Sequence, residues 1–333
     1  MKKHNRFIAG IMAVCLMGGI TAIPESITPV VSMAESVKII ESGTCGDNLT
    51  WVFDDSWTLT ISGTGNMPDF WSDSLQSNDV PWLSVRPAIN KVVIEDDVTS
   101  IGEEAFYNAE NLKSVIIADS VTSIGRSAFH GCSDLKEITI PDSVTSIGSR
   151  AFYDCKKLTS INIPDSVTSI GESTFHYCLS LTSIDIPDSV TSISDMAFKG
   201  CSSLTSITIL NPECAICNDK DTITNGYFQD SDGYNYNDFK GTIYGYENST
   251  AQAYAEECGY KFESIGKAPE KEAISGDVNG DNEFNVSDLV LIQKYLLGGS
   301  DTEISNWKQA DLNGDGVLDV FDLCLMRKKL IEK

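Results

Sequence analysis

Residues 135–157 read LKEITIPDSVTSIGSRAFYDCKK, and from Ile89 to Ile209 the chain repeats this phrase every 23 residues. The register holds at Val98, Val121, Val144, Val167 and Val190, at Phe106, Phe129, Phe152, Phe175 and Phe198, and at Leu112, Leu135, Leu158, Leu181 and Leu204. A fixed period of this length predicts a solenoid, because one unit can bury its apolar face only against its neighbours. Each unit carries a short alternating strand. In Ile138, Thr139 and Ile140 the isoleucines are directed inward and the threonine outward, and Pro141 with Asp142 then stops the strand and turns the chain. Cys132, Cys155, Cys178 and Cys201 share the period. They are predicted to stack as a buried column of thiols, since side chains in register point the same way and a disulfide needs converging Cβ vectors.

A second repetition follows. Residues 276–299 read GDVNGDNEFNVSDLVLIQKYLLGG and residues 310–331 read ADLNGDGVLDVFDLCLMRKKLI, so a twelve-residue acidic loop and an apolar helix occur twice, 34 residues apart. In the first loop Asp277, Asn279 and Asp281 hold positions 1, 3 and 5, Glu283 offers its carbonyl at 7, Asn285 sits at 9 and Asp288 at 12. The second places Asp311, Asn313, Asp315, Val317, Asp319 and Asp322 in the same positions. Hard oxygen ligands at alternate positions of a tight loop suit the large, flexible shell of Ca²⁺, which predicts two calcium ions. Position 12 is Asp in both loops rather than the longer Glu, and no clear helix leads into either. Position 6 is Gly316 in one loop and Asn282 in the other, so the first site is expected to be the weaker.

This loop-then-helix duplication resembles a type I dockerin, the module that plugs proteins into cohesin domains of a cellulosome scaffold. The resemblance covers residues 276–333 and implies a small all-α calcium-binding module. It also implies that the cohesin partner is met at loop positions 10 and 11 and farther along each helix: here Val286, Ser287, Gln293 and Lys294, and Val320, Phe321, Arg327 and Lys328. The two halves differ, with Ser287 standing where the second has Phe321. The repeats of residues 89–210 resemble BspA-like leucine-rich repeats, which implies a β-rich solenoid of short parallel strands. Residues 35–88, where Trp51, Phe53, Trp57, Leu59 and Ile61 alternate, resemble the β-rich cap that opens such arrays, and residues 211–266 the cap that closes them. Residues 267–275, KAPEKEAIS, read as a linker to the dockerin.

The first residues and the charge bound where such a chain works. Lys2, Lys3 and Arg6 precede an uncharged apolar run, and Ser32 and Ala34 supply small residues at a cleavage site, so residues 1–34 read as a secretory signal. The run is at the short limit for a membrane span and no second one follows. Cys15 lacks the small preceding residue of a lipoprotein box. The net charge of −24 becomes about −26 once three basic residues and one acid leave with the signal. Such a surface repels phosphate and anionic lipid, which argues against nucleic-acid and membrane partners.

Catalysis has no visible seat: there is no nucleophile elbow, HExxH helix or phosphate-binding glycine loop, and no pair of carboxylates stands out for glycoside hydrolysis. Cys214 and Cys217 form a lone CxxC with no second pair, far in sequence from His4, His130 and His176. Their pairing with Cys45 or Cys258, in an exported protein, is left open. Two periodic columns are expected at the surface. One is Tyr107, His130, Tyr153, His176 and Lys199, an aromatic stripe able to stack on sugar rings or merely to cover the core. The other is Ile116, Thr139, Asn162, Asp185 and Thr208. The expectation is a secreted, non-catalytic binding or structural component of a polysaccharide-degrading complex, docked through cohesin and presenting the array to an unknown protein or polysaccharide. The alternative is an enzyme or protease inhibitor carried into the same complex.

Overall fold

The computed structural model describes residues 37–70, 80–226, 238–269, 274–281, 283–299, 304 and 306–332. The signal expected at 1–34 and the position-6 residue Asn282 lie outside them.

The chain opens as an antiparallel meander of Ile39–Thr44, Leu49–Asp54 and Thr58–Gly63. Gly63 is obligatory at its end: φ is +119°, and a Cβ there would lie 2.0 Å from the Asn48 carbonyl oxygen. Parallel pairing then takes over. Thr58–Gly63 pairs with Lys91–Ile94, which pairs with Ser114–Ile117, and the sheet continues through Glu137–Ile138 to Ser160–Ile161. The cap is therefore the first rung of the stack. Trp82 confirms this packing, because its buried ring stacks on Phe106 at 5.7 Å and heads the phenylalanine column.

Behind the first strand of each coil lies a second, at VTSI. Val98–Ile101, Ser123–Ile124 and Ser146–Ile147 share one sheet, while Ser169–Ile170, Ser192–Ile193 and Ala215–Ile216 share another. After the second strand, and before the first strand of the next coil, the chain turns twice through left-handed backbone. One corner is at Glu104, Ser127, Arg150, Ser173 and Met196, the other at Asn108, Gly131, Asp154, Tyr177 and Gly200. The repeat phenylalanine sits between these corners and points inward. Phe106, Phe129, Phe152, Phe175 and Phe198 stack face to face at 5.3, 5.5, 5.6 and 5.4 Å, all fully buried. The cysteine column forms beside them, each Sγ donating to the phenylalanine carbonyl of the coil before it, as from Cys155 to Phe129 at 3.2 Å. Burial pushes the thiol of Cys201 up to about 12, so these cysteines are inert packing groups.

Three sequence expectations change here. Residues 211–226, assigned above to the closing cap, continue the coil: Ala215–Ile216 pairs with Ser192–Ile193, and Ile223–Thr224 with Phe198–Lys199. Closure comes later. Thr242–Glu247, helix α1 (Thr250–Cys258) and Lys261–Lys267 complete the stack, with α1 capped by Ser249 and ended by Gly259 at φ +75°. Among the described residues no disulfide joins Cys45, Cys214, Cys217 and Cys258, whose pairing the sequence leaves open.

The third change concerns the aromatic stripe. Its rings are stacked on one another instead of facing solvent: Tyr107 on His130 and His130 on Tyr153, both at 4.5 Å, and Tyr153 against His176 at 4.8 Å. Tyr107, His130, Tyr153 and Lys199 are half-buried and His176 is buried, since the coil spacing that brings the phenylalanines into contact brings this column into contact too. Ring faces already stacked on each other are not open to a sugar. Tyr153→Ala, neutral for a solvated side chain, is instead expected to cost about 1–2 kcal/mol in a thermal melt, because it removes ring contacts on both sides.

One core runs from Cys45 to Cys258, and a second, smaller one joins Val278, Phe284, Ile292, Ala310, Leu323 and Met326. No helix among the described residues is long and apolar enough to cross a membrane.

Candidate calcium loops and docking surface

The two acidic loops each run into a helix, α2 (Val286–Leu296) and α4 (Val320–Ile331), and the short helix α3 (Trp307–Ala310) leads into the second loop. That lead-in turn is absent from the sequence reading. Position 9 in each loop is the helix N-cap. Asn285 Oδ1 accepts from the Ser287 amide and Asp319 Oδ1 from the Phe321 amide, both at 2.7 Å. Position 12 completes a capping box, Asp288 Oδ2 accepting from the Asn285 amide and Asp322 Oδ2 from the Asp319 amide.

The other oxygen of each position-12 carboxylate folds the loop back. Asp288 Oδ1 accepts from the Val278 and Asn279 amides at 2.9 and 3.2 Å, and Asp322 Oδ1 from the Leu312 and Asn313 amides at 2.9 and 3.3 Å. Position 1 holds the turn in the same way: Asp277 Oδ1 accepts from Gly280, and Asp311 takes the amides of Gly314, Asp315 and Gly316. Gly316 at φ +80° makes that last contact without strain. Asp281 Oδ1 accepts from Glu283 and Asp315 Oδ1 from Val317. The backbone thus wraps positions 1, 3, 5 and 12 around one turn in each half.

The donor set fits a hard cation. Asp288 and Asp322 are fully buried, yet none of the described salt bridges reaches either, and a buried carboxylate without a counter-charge is costly. Oδ1 of each accepts two amides and Oδ2 one, which leaves a lone pair on Oδ2 for an ion. Asn279 Nδ2 donates to Asp281 Oδ2 and Asn313 Nδ2 to Asp315 Oδ2, so positions 3 and 5 are tied to each other. No cluster of three or more acidic, histidine or cysteine side chains is poised around a common point among the described residues. In these loops the ligand types and their order are those that suit calcium.

The helices expose what the docking expectation requires. Val286, Ser287, Gln293, Lys294, Val320, Phe321, Arg327 and Lys328 are all exposed, whereas Ile292, Leu323 and Met326 hold the core between α2 and α4. The halves are unequal at one position: Phe321 is 70% exposed where the first half has Ser287, whereas Val286 and Val320, at 61% and 62%, are matched. Ile331 and the free thiol Cys324 lie on the same side of α4 as Phe321 and were not singled out in the sequence, although their spacing of three and seven residues from residues 321 and 324 would have placed them there. Lys329 closes the module, donating to the Ser275 carbonyl at 2.7 Å and lying over the Phe284 ring.

On the array, the column Ile116, Thr139, Asn162, Asp185 and Thr208 does lie on the outer face of the strands, with Thr208 half-buried. The sheet is interrupted in its middle, because no pairing joins Ser160–Ile161 to Ser183–Ile186. On the other side of the same strand, toward the preceding coil, Asn162 replaces ladder bonds with its side chain. Its Oδ1 accepts from the Ile140 amide at 3.1 Å and its Nδ2 donates to the Ile140 carbonyl at 2.8 Å, so a side chain takes the place of a strand partner. A groove of about 490 Å³ follows, lined by Glu137, Thr139, Ser160, Asn162, Ser183 and Asp185.

A parallel-stacked array of 23-residue coils and a pair of calcium-type loops on short helices define a leucine-rich repeat solenoid joined to a dockerin. Residues 99–235 match the BspA type leucine rich repeat region in six copies, and residues 275–331 match the dockerin type I domain. The chain accordingly carries BspA-type leucine-rich repeats and a C-terminal type I dockerin domain, and both of these modules are non-catalytic. The sixth copy agrees with the coil that continues past residue 210. No curated protein matches the chain. Among solved structures, a leucine rich cell surface protein from Faecalibacterium prausnitzii A2-165 is 27% identical over 68% of this chain and 72% of its own, with a TM-score of 0.38. A T. pallidum leucine rich repeat protein is 21% identical over 66% of this chain and 97% of its own, also at 0.38. A leucine-rich repeat protein from Eubacterium ventriosum is 20% identical over 68% and 74%, at 0.29.

Proposed function

We propose that this protein is an exported, non-catalytic component of a cellulosome-type complex. Its dockerin, loaded with two calcium ions, fixes it to a cohesin-bearing scaffold, and its array offers a binding surface to a protein or polysaccharide during polysaccharide breakdown. The observation that carries this reading is the division of labour in the last module. Position-12 carboxylates are buried beneath the loops while the apolar ends of α2 and α4 stand in solvent. Exposed residues of that size on so small a module are suited to a partner.

The inequality of the halves supports one dominant orientation on cohesin, led by α4. Phe321→Ala is expected to weaken cohesin binding at least about tenfold, as for the loss of an aromatic anchor, while Ser287→Ala leaves it within about twofold. Calorimetric titration of each variant with a type I cohesin domain checks this, and the opposite ranking would reverse the assignment. For the array, the full chain is incubated with wall polysaccharides and scored separately for capture and for released sugar. Capture without release supports a binding role. Release of sugar overturns the non-catalytic reading.

A further inference from the structure

His176 is the most anomalous side chain of the array. It is 7% exposed, and neither ring nitrogen has a hydrogen-bond partner. Burying such a group without partners is unfavourable, and burying it charged is far more so. Tyr177 covers it, with ring centroids 4.1 Å apart, and holds φ at +61° to do so. The same corner in neighbouring coils is Gly131, Asp154 and Gly200, residues that accept left-handed backbone readily, whereas a tyrosine there is strained. A strained residue packed over an unpartnered imidazole is a feature that pure packing would not retain.

We propose that the stack of Tyr107, His130, Tyr153, His176 and Tyr177 is an acid-sensitive latch on the array, with His176 as its trigger and His130 as a second proton acceptor. Above neutral pH both rings are uncharged and lie within the stack. A proton on His176 would place a cation between Tyr153 and Tyr177 with no acceptor for its N–H groups. From the following coil it faces Lys199, ion-paired with Asp221, and from the preceding one Arg150, ion-paired with Glu172. His130 faces Tyr107 on one side and Tyr153, Asp154 and Arg150 on the other, and its Nδ1 is likewise buried without a partner. The latch is tied to the backbone by the Asp154 amide donating to the His176 carbonyl at 2.7 Å and the Tyr177 amide to Lys199 at 2.9 Å. Opening it loosens the third to fifth coils, which also carry the groove at Asn162 and Asp185.

The titration supports this geometry. Burial first, then the Lys199 and Arg150 charges against the opposing Asp221, lower the His176 imidazole to about 4, and burial lowers His130 to about 4. The unfolded or opened chain takes up its proton near the ordinary 6.5, so the opened form binds more protons between those values. Stability is therefore full above about 6.5 and falls as the pH drops toward about 4.

Hydrogen exchange of the full chain tests the latch at the Asp154 and Tyr177 amides. After correction for the intrinsic pH dependence of exchange, protection in the wild type is expected to fall at least roughly tenfold between pH 7 and pH 5, and in His176→Phe, which keeps a ring but leaves only His130 to take a proton, to fall several-fold less. Equal pH dependence in the two proteins overturns the proposal. Should His176→Phe not fold, the wild-type imidazole resonances decide. Midpoints below about 5, accompanied by loss of the tyrosine ring-current shifts, support the latch, and midpoints near the ordinary 6.5 with the ring shifts unchanged overturn it.

Discussion

Phe152→Ala is expected to lower the stability of the array by about 3–5 kcal/mol, enough to unfold a domain of ordinary stability near physiological temperature. The size of the effect comes from position. Phe152 belongs to the middle coil, is fully buried, and lies between Phe129 at 5.5 Å and Phe175 at 5.6 Å, so truncation removes contacts on both faces of the ring and leaves a cavity. Neighbouring coils are held in register by their own hydrogen bonds and collapse poorly into the space. Thermal melts of the full chain and the variant measure it. Its comparison with Tyr153→Ala is sharper than either value alone. The phenylalanine should cost at least about twice as much, and a larger loss at Tyr153 would mean that the inner and outer faces of the coil have been exchanged.

Removal of calcium is expected to have the other large effect. The six loop carboxylates at positions 1, 5 and 12, Asp277, Asp281, Asp288, Asp311, Asp315 and Asp322, are concentrated in two turns, and their mutual repulsion is relieved only by a cation. Because Asp288 and Asp322 also close the capping boxes of α2 and α4, strain in the loops is passed directly to the helices. A ligand present at 100 times its Kd and bound only by the folded module stabilises it by about 2.7 kcal/mol per site, which a module with so small a core cannot spare. Chelation should therefore reduce the helical circular dichroism of the full chain, and calcium should restore it. An unchanged spectrum would contradict the calcium assignment. Asp277→Ala and Asp311→Ala should each lower the stoichiometry from two ions to one, with the Asp311 loop the tighter because Gly316 supplies its left-handed turn.

The parts of this molecule that could be read from its sequence are those in which one residue type has one environment. Valine, phenylalanine, leucine and cysteine recur because each coil gives the same buried position to the same side chain, so the register, the inward faces and the thiol column follow from periodicity. The two acidic loops and their helices could be read because residue type and spacing repeat in both halves. What escaped was set by contacts between coils. A column of Tyr and His reads as an exposed stripe, and only the distance between coils reveals that its members stack. Asn162 looks like one more outward residue, yet its side chain pairs with the Ile140 backbone of the preceding coil. The sixth coil was hidden because residues 211–241 break the 23-residue interval while the pairing of Ala215 and Ile223 persists. Two signals were available and passed over. The corner column Asn108, Gly131, Asp154 and Gly200 has the composition of left-handed backbone, and Asn285 with Asp288, or Asp319 with Asp322, has the spacing of a capping box.

Binding of the full chain to an immobilised type I cohesin domain, measured in calcium and again after chelation, tests the central claim most directly. Tight capture in calcium, lost on chelation, restored by added calcium and weakened at least about tenfold by Phe321→Ala, is the result predicted from the buried position-12 carboxylates and the exposed face of α4. Failure to bind cohesin in calcium, or binding that is indifferent to both the ion and Phe321, would contradict it.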